Sequence, residues 1–329
     1  MKAFPRLRRP RDPGSPVISD EPRGEPRPEI IETRTLRWIN IDEPRLADRQ
    51  WLDENFPFHE LDLEDVASHN QRPKVDEYDE YLFLVMQFPR FDKETGRLHA
   101  AELDIFVGPD YVITLPNIPL PPLSAMFERY AEKDDVRTEV FSKGPGYLLY
   151  KIVDTLVDAS FPMLRKTGLK LERLEDDIFE GRSSEIVRDI SDTKQEIINF
   201  RKIVRPQRAV LRDLERTKQG YLQEELEFYF DDISDAAERI WDTLENYKEV
   251  IEGLESSNES VLSHQLNDSF RILTAASVVL LPLTLIASIF GMNVQFPGEN
   301  QLITFYLILA LMAVLLTALV ILFRRRGWL

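Results

Sequence analysis

The sequence predicts an α+β membrane protein, with an N-terminal α/β domain in water, a helical region after it and two C-terminal transmembrane helices. Three observations carry this prediction. Residues 272–290 and 302–323 contain no charged side chain, and each run matches the roughly 20 residues that a helix needs to cross a bilayer. Up to about residue 135, short apolar runs alternate with turn residues, as strands and short helices do. From about residue 145, turn residues thin out and a 3.6-residue period takes over.

Residues 1–29 are rich in Pro and Arg. They lack the apolar run of a secretory signal and read as a disordered tail. The α/β domain is expected over 30–135. Apolar and polar residues alternate through 35–41, which predicts a first strand, and residues 46–55 and 61–68 predict two short helices. The second of these carries Asp62, Glu64 and Asp65. Residues 81–88 form a nearly continuous apolar run bounded by Pro89, suited to a central strand. Residues 102–107 and 111–115 flank Gly108, Pro109 and Asp110 as a hairpin.

A helical region is expected over 136–221, with periodic stretches at 147–179 and 184–214. Gly181 can end the first, and Ser183 or Ser184 can cap the second. A third helix, over 222–290, meets no stop before Gly291 and so joins the soluble part to the first span at 272–290. Within it Ile233, Ala237, Ile240, Leu244, Tyr247, Ile251 and Leu254 recur in steps of four and three. That is a heptad seam, for a partner helix or for symmetry mates. Past Leu254 the seam turns polar through Ser256, Ser257, Asn258, Ser260, Ser263, Gln265 and Asn267. Such a face suits either a wet vestibule or a solvated segment beside the membrane. A loop over 291–301 separates the spans, and a basic segment over 324–329 follows the second, at 302–323.

The formal net charge is −16; from residue 269 onward it is +3, leaving −19 for the rest. Such acidity argues against a nucleic-acid partner. It either draws cations to the domain or simply keeps it soluble. There is no cysteine, and His59, His69, His99 and His264 are too few for a soft-metal cage. Arg271 precedes the first span and Arg324, Arg325 and Arg326 follow the second. The positive-inside rule then places both termini in the cytoplasm and the loop 291–301 outside. No phosphate-binding loop and no set of nucleophile, base and orienting group is recognisable, so neither an ATP-driven pump nor an enzyme is indicated. No organic cofactor is expected.

Two spans cannot enclose a water-filled path, so transport requires an oligomer with closed symmetry. Ser277, Leu281, Thr284, Ser288 and Gly291 fall on one face of the first span. They offer hydroxyls and backbone in place of charge, and the same small residues also suit close helix packing. An uncharged polar pore fits an ion that keeps its water, as Mg²⁺ does. Amide oxygens of Asn293, one per subunit, can accept hydrogen bonds from that water.

Pro282, Leu283 and Thr284, then Phe290, Gly291, Met292 and Asn293, a short loop, a second span and the end Arg326, Gly327, Trp328, Leu329 resemble the CorA-type magnesium transporters. Weaker matches are Trp38 with Ile39, Asn40 and Ile41, then Leu63 with Glu64 and Asp65, Gln71 through Val75, and Tyr147 through Tyr150 followed by Asp154. The resemblance implies a homopentamer in the cytoplasmic membrane, with long first-span helices around one pore and a funnel-shaped cytoplasmic domain. It implies a selectivity filter of Gly291, Met292 and Asn293, a polar ring at Thr284, hydrophobic constrictions at Leu281 and Leu273, and an inner ring at Asn267, with Phe270 in the gate region. Ser277 and Ser288 lie on the same pore-lining face. It also implies regulatory Mg²⁺, with Asp65 facing Asp232 across a subunit interface and Glu64 and Asp154 nearby. Gln295 stands where family members can carry an acid, while Glu299 keeps one in the external loop. The implied cargo is Mg²⁺, with Co²⁺ and Ni²⁺ as further candidates. The alternatives are a zinc transporter of the same superfamily, with proton coupling, and a non-conducting membrane-anchored coiled-coil scaffold.

Overall fold

A computed structural model describes residues 24–68, 71–92, 95–180, 183–217, 227–292 and 302–328. It divides into two units. The first holds the chain up to Glu175 together with Arg188–Glu252, and the second holds Asp176–Val187 and Gly253–Leu329.

In the first unit, strands β1 (Glu29–Glu32), β2 (Arg37–Asn40), β3 (Lys74–Glu77), β4 (Leu82–Asp92), β5 (Arg97–Val107) and β6 (Tyr111–Pro116) form one sheet in the order β1-β2-β6-β5-β4-β3. Only the β2–β6 pair is parallel. Helices α1 (Leu46–Asn55) and α2 (Glu60–Ser68) connect β2 to β3. Helices α3 (Pro121–Glu132), α4 (Asp134–Phe141), α5 (Pro145–Asp158), α6 (Ser160–Glu180), α7 (Ser183–Arg216) and α8 (Glu227–Phe290) follow.

The central strands are buried on both faces, which is why residues 81–88 read as a run and not as an alternation. Leu82, Leu84, Met86 and Phe88 of β4, with Leu103, Ile105 and Val107 of β5, join a core built with α3, α5, α7 and α8. Phe83, Val85 and Phe106 point the other way, into a smaller core with Leu52 of α1 and Leu63 and Val66 of α2. The heptad seam is used inside the chain, since Ile233, Ala237, Ile240 and Leu244 belong to the larger core and Tyr247 packs on it. Along the same contact, Arg201 and Arg208 of α7 flank the ring of Trp241, each 5.2 Å from its centroid, and pair with Glu245 and Glu238 of α8.

The sequence expectations hold at α1, at α2 and at the β5–β6 hairpin, and four features differ. β1 and β3 are four-residue edge strands, too short for periodicity to announce. β4 runs through Pro89 to Asp92. β3 pairs with β4 only as far as Val85, so Pro89 lies where no further strand needs its missing N–H. The stretch 147–179 is two helices, α5 and α6, joined at Ala159. Pro162 lacks the N–H that would close onto Asp158, yet is tolerated in the first turn of α6. Finally, α3 opens the helical run at Pro121, and α4 crosses the expected boundary at 135/136. Gly181 and residues 218–226, where a helix end and the start of the third long helix are expected, lie outside the described residues.

The second unit contains the membrane-facing part of α8 and helix α9 (Leu302–Arg325), and both helices are long and apolar enough to cross a membrane. Helix α8 continues through Pro282.

Candidate functional site

The first span can be read as a cylinder with two faces. Ala275, Val279 and Leu283 pack against Leu319, Phe323 and Trp328 from α9 and the chain after it. At about 100° per residue, Leu273, Ser277, Leu281, Thr284 and Ser288 fall on the opposite side, and each is exposed in the single chain. Phe270 and Asn267 continue that exposed side one and two turns earlier. The hydroxyls of Ser277 and Thr284 each donate to the carbonyl four residues back, at 2.9 Å, to Leu273 and Leu280. Their hydrogen-bond needs are thus met within the helix, and their oxygens stay on the exposed face as acceptors for water.

At the end of this helix the Gly291 N–H still reaches the Ala287 carbonyl at 2.9 Å, and the Met292 N–H makes a longer bond to Ile289 at 3.4 Å. A Cβ on Gly291 would come within 2.9 Å of that Ala287 oxygen, so glycine lets the chain close the last turn there. Asn293, Gln295 and Glu299 lie outside the described residues. Of the expected filter, only Gly291 and Met292 are therefore placed, both exposed at the helix end.

The expected regulatory carboxylates all lie in the first unit. Glu64 and Asp65 are on α2, Glu64 exposed and Asp65 partly buried. Lys74 of β3 donates to Asp65 Oδ2 at 2.8 Å and also to Asp76. Asp154 of α5 takes an ion pair from Lys151 at 3.4 Å. That lysine lies over the rings of Tyr150, at 4.6 Å, and Tyr147, at 5.9 Å. Asp232 is exposed on α8. Carboxylate oxygens are hard donors of the kind Mg²⁺ takes, so the donor set fits a hard divalent ion in chemistry. Among the described residues of one chain, however, no group of three or more acidic or His side chains is arranged to hold a metal.

Sequence reasoning gave no role to several charged neighbours. Asp158 lies one turn beyond Asp154 on α5, and its carboxyl is raised by burial and by the charges of Asp154 and Asp232. That four-residue spacing was the available signal. On the buried side of α2, Asp62 accepts hydrogen bonds from Tyr81 at 2.7 Å and Tyr78 at 3.2 Å, while burial raises its pKa. Glu102 accepts the Gln71 N–H at 2.7 Å, and so fixes the segment entering β3. Asp104 is fully buried beside it and raised well above 3.8, by burial first and then by Glu102 and Asp65.

The model of the CorA-like Mg²⁺ transporter protein family matches residues 33–325. The cobalt/magnesium transport protein CorA of Thermotoga maritima is 30% identical over 301 residues, covering 91% of this chain and 85% of that protein. The putative metal ion transporter YfjQ of Bacillus subtilis is 31% identical over 293 residues, covering 88% and 89%. The zinc transport protein ZntB of Yersinia pestis is 18% identical over 293 residues, covering 89% and 88%. Among solved structures, the CorA magnesium transporter from Methanocaldococcus jannaschii superposes with a TM-score of 0.80 at 23% identity, covering 91% of this chain and 93% of that one.

Proposed function

The chain belongs to the CorA-like Mg²⁺ transporter family, a family of transporters and not of enzymes, and from this premise we propose that it carries hydrated Mg²⁺ across the cytoplasmic membrane through the central pore of a homopentamer. The observation that carries the reading is the face of the first span that α9 leaves uncovered, with Ser277, Thr284 and Ser288 on it. Two helices cannot close a water path, and five copies of that face around an axis can. In this reading Gly291, Met292 and Asn293 form the outer filter. The Asn293 amide oxygens accept hydrogen bonds from the ion's water, which Mg²⁺ gives up reluctantly. Thr284 supplies a polar ring, and Leu281 and Leu273 supply apolar constrictions that close by dewetting. Phe270 lies in the gate region and Asn267 at the inner mouth, while Glu299 draws cations to the external loop. Both termini and the acidic first unit are cytoplasmic, the latter arranged as a funnel, and Co²⁺ and Ni²⁺ are further cargo.

The same reading assigns the carboxylates to feedback. Asp65 of one subunit and Asp232 of the partner subunit share cytoplasmic Mg²⁺, with Glu64 and Asp154 nearby. When neutralised, these acids hold the closed arrangement. When bare, they repel one another and loosen it, so intracellular Mg²⁺ shifts the population toward the shut pore. Zinc as cargo has less support, since the zinc-named relative is 18% identical against 30% for the cobalt/magnesium-named one.

The test is rescue of a Mg²⁺-transport-deficient strain. The wild-type chain restores growth at low Mg²⁺, and Asn293→Ala, present in the membrane at equal level, does not. Full rescue by Asn293→Ala would overturn the pore assignment.

A further inference from the structure

The surroundings of Asp65 hold a cation supplied by the chain itself. Lys74 stands opposite Val85, which in turn stands opposite Asp104. Cross-strand partners share a face of the sheet. Val85 belongs to the core beneath α1 and α2, so strand register places Lys74 under α2. Its ammonium lies 5.2 Å from the centroid of the Phe83 ring and bonds to both Asp65 and Asp76. Its field also reaches Asp62 and the buried Asp104. Burial alone would favour the neutral amine, but the hydrogen bonds that Lys74 donates to Asp65 and Asp76, and the charges of those carboxylates, raise its pKa. Asp154 repeats the arrangement with Lys151, held against Tyr147 and Tyr150.

Resting on the regulatory reading given above for Asp65, we propose that Lys74 is the resident counter-cation of this carboxylate and that a divalent ion reaching Asp65 must displace it. The displaced lysine is not stranded, because Asp76 lies two residues along the same strand and already shares the ammonium. Exchange therefore needs only one of two ion pairs to open. Two consequences follow from charge alone. Without divalent ions, the lysine masks part of the carboxylate repulsion that would otherwise loosen the closed arrangement. With them, it competes, so the regulatory site fills at a higher Mg²⁺ concentration than bare carboxylates would require. A different role, in which Lys74 orients Asp65 for ligation, predicts the opposite effect when the charge is removed.

The experiment is Mg²⁺-dependent protection of the full-length detergent-solubilised protein from proteinase K, read as the Mg²⁺ concentration at half-protection. Lys74→Gln lowers this midpoint by about twofold to fivefold, the size expected for losing a partly exposed ion pair. Lys74→Met, which keeps the stem over Phe83, does the same and guards against a folding defect in the first variant. Lys74→Arg keeps a midpoint close to wild type, and Lys202→Gln, an equal change of net charge at an exposed position on α7, leaves it unmoved. An unchanged or raised midpoint in both Lys74→Gln and Lys74→Met overturns the proposal, as does an equal shift in Lys202→Gln. Wild-type protein with no Mg²⁺-dependent protection would instead overturn the regulatory reading itself, and this proposal with it.

Discussion

Arg271, one residue ahead of the first apolar run, donates from its guanidinium to the backbone carbonyl of Gly327, just past the last turn of α9. It also pairs with Asp268 at 3.0 Å. The acceptor is held in place by the way α9 ends. The Gly327 N–H bonds to Arg324 at 3.1 Å, the Trp328 N–H reaches back to Phe323 at 2.9 Å, and the Trp328 and Phe323 rings lie 5.6 Å apart. This is a Schellman cap with its usual apolar contact, and it needs a left-handed residue at Gly327, whose φ is +67°. Arg271→Gln and Gly327→Ala should each lower the stability of the detergent-solubilised protein, by about 1 kcal/mol. Thermal melting checks both, and a Gly327→Ala variant that melts at the wild-type temperature would count against the cap.

Asp104 predicts a pH dependence of stability. Its carboxyl is raised well above 3.8 in the folded chain, chiefly by burial. The native state therefore holds this proton more tightly than the unfolded state does. The stabilisation is fully present below 3.8 and is lost as pH rises through the folded value. Asp62 and Asp158, also raised, act in the same direction. Asp104→Asn removes the largest of these titrations and should flatten the fall of melting temperature as pH rises above 3.8. A variant with the wild-type slope would show that Asp104 is ionised in the folded protein.

Gly168 on α6 marks a close approach to α8. A Cβ there would come within 2.5 Å of the Tyr247 hydroxyl and 3.1 Å of Cζ. Gly168→Ala is therefore expected to destabilise the protein even though alanine favours the helix by about 1 kcal/mol. Gly168→Ala with Tyr247→Phe removes the nearest clashing atom and should melt above Gly168→Ala alone. Equal melting of the two would mean that the ring moves aside at no cost.

The legible parts of the fold were those set by local pattern. The two spans followed from uncharged length, α2 from its apolar spacing, and β5–β6 from the turn at Gly108. What local pattern could not announce were contacts made by register and tertiary packing. β3 is four residues of mixed charge, yet its pairing puts Lys74 beneath Asp65, and no spacing in the sequence joins residues 65 and 74. Asp104 sits in an apolar-looking strand whose period of two puts it on one face with Glu102, and only the sheet shows that this face is buried. The uncovered side of the first span was visible as a helical stripe. That α9 takes the opposite side, through Ala275, Val279 and Leu283, required the packing. The role proposed for Asp232 rests on resemblance to a family, and the one proposed for Asn293 rests on that resemblance together with the chemistry of its amide and its place at the end of the first span.

Ion uptake into liposomes containing the purified protein distinguishes a pore for hydrated Mg²⁺ from the other readings. Mg²⁺, Co²⁺, Ni²⁺ and Zn²⁺ are offered separately, with and without a pH gradient, beside liposomes containing Asn293→Ala. The expected result is Mg²⁺ influx that needs no pH gradient and vanishes in Asn293→Ala. A flux of zinc alone that depends on the proton gradient, or Mg²⁺ influx undiminished by Asn293→Ala, would contradict it.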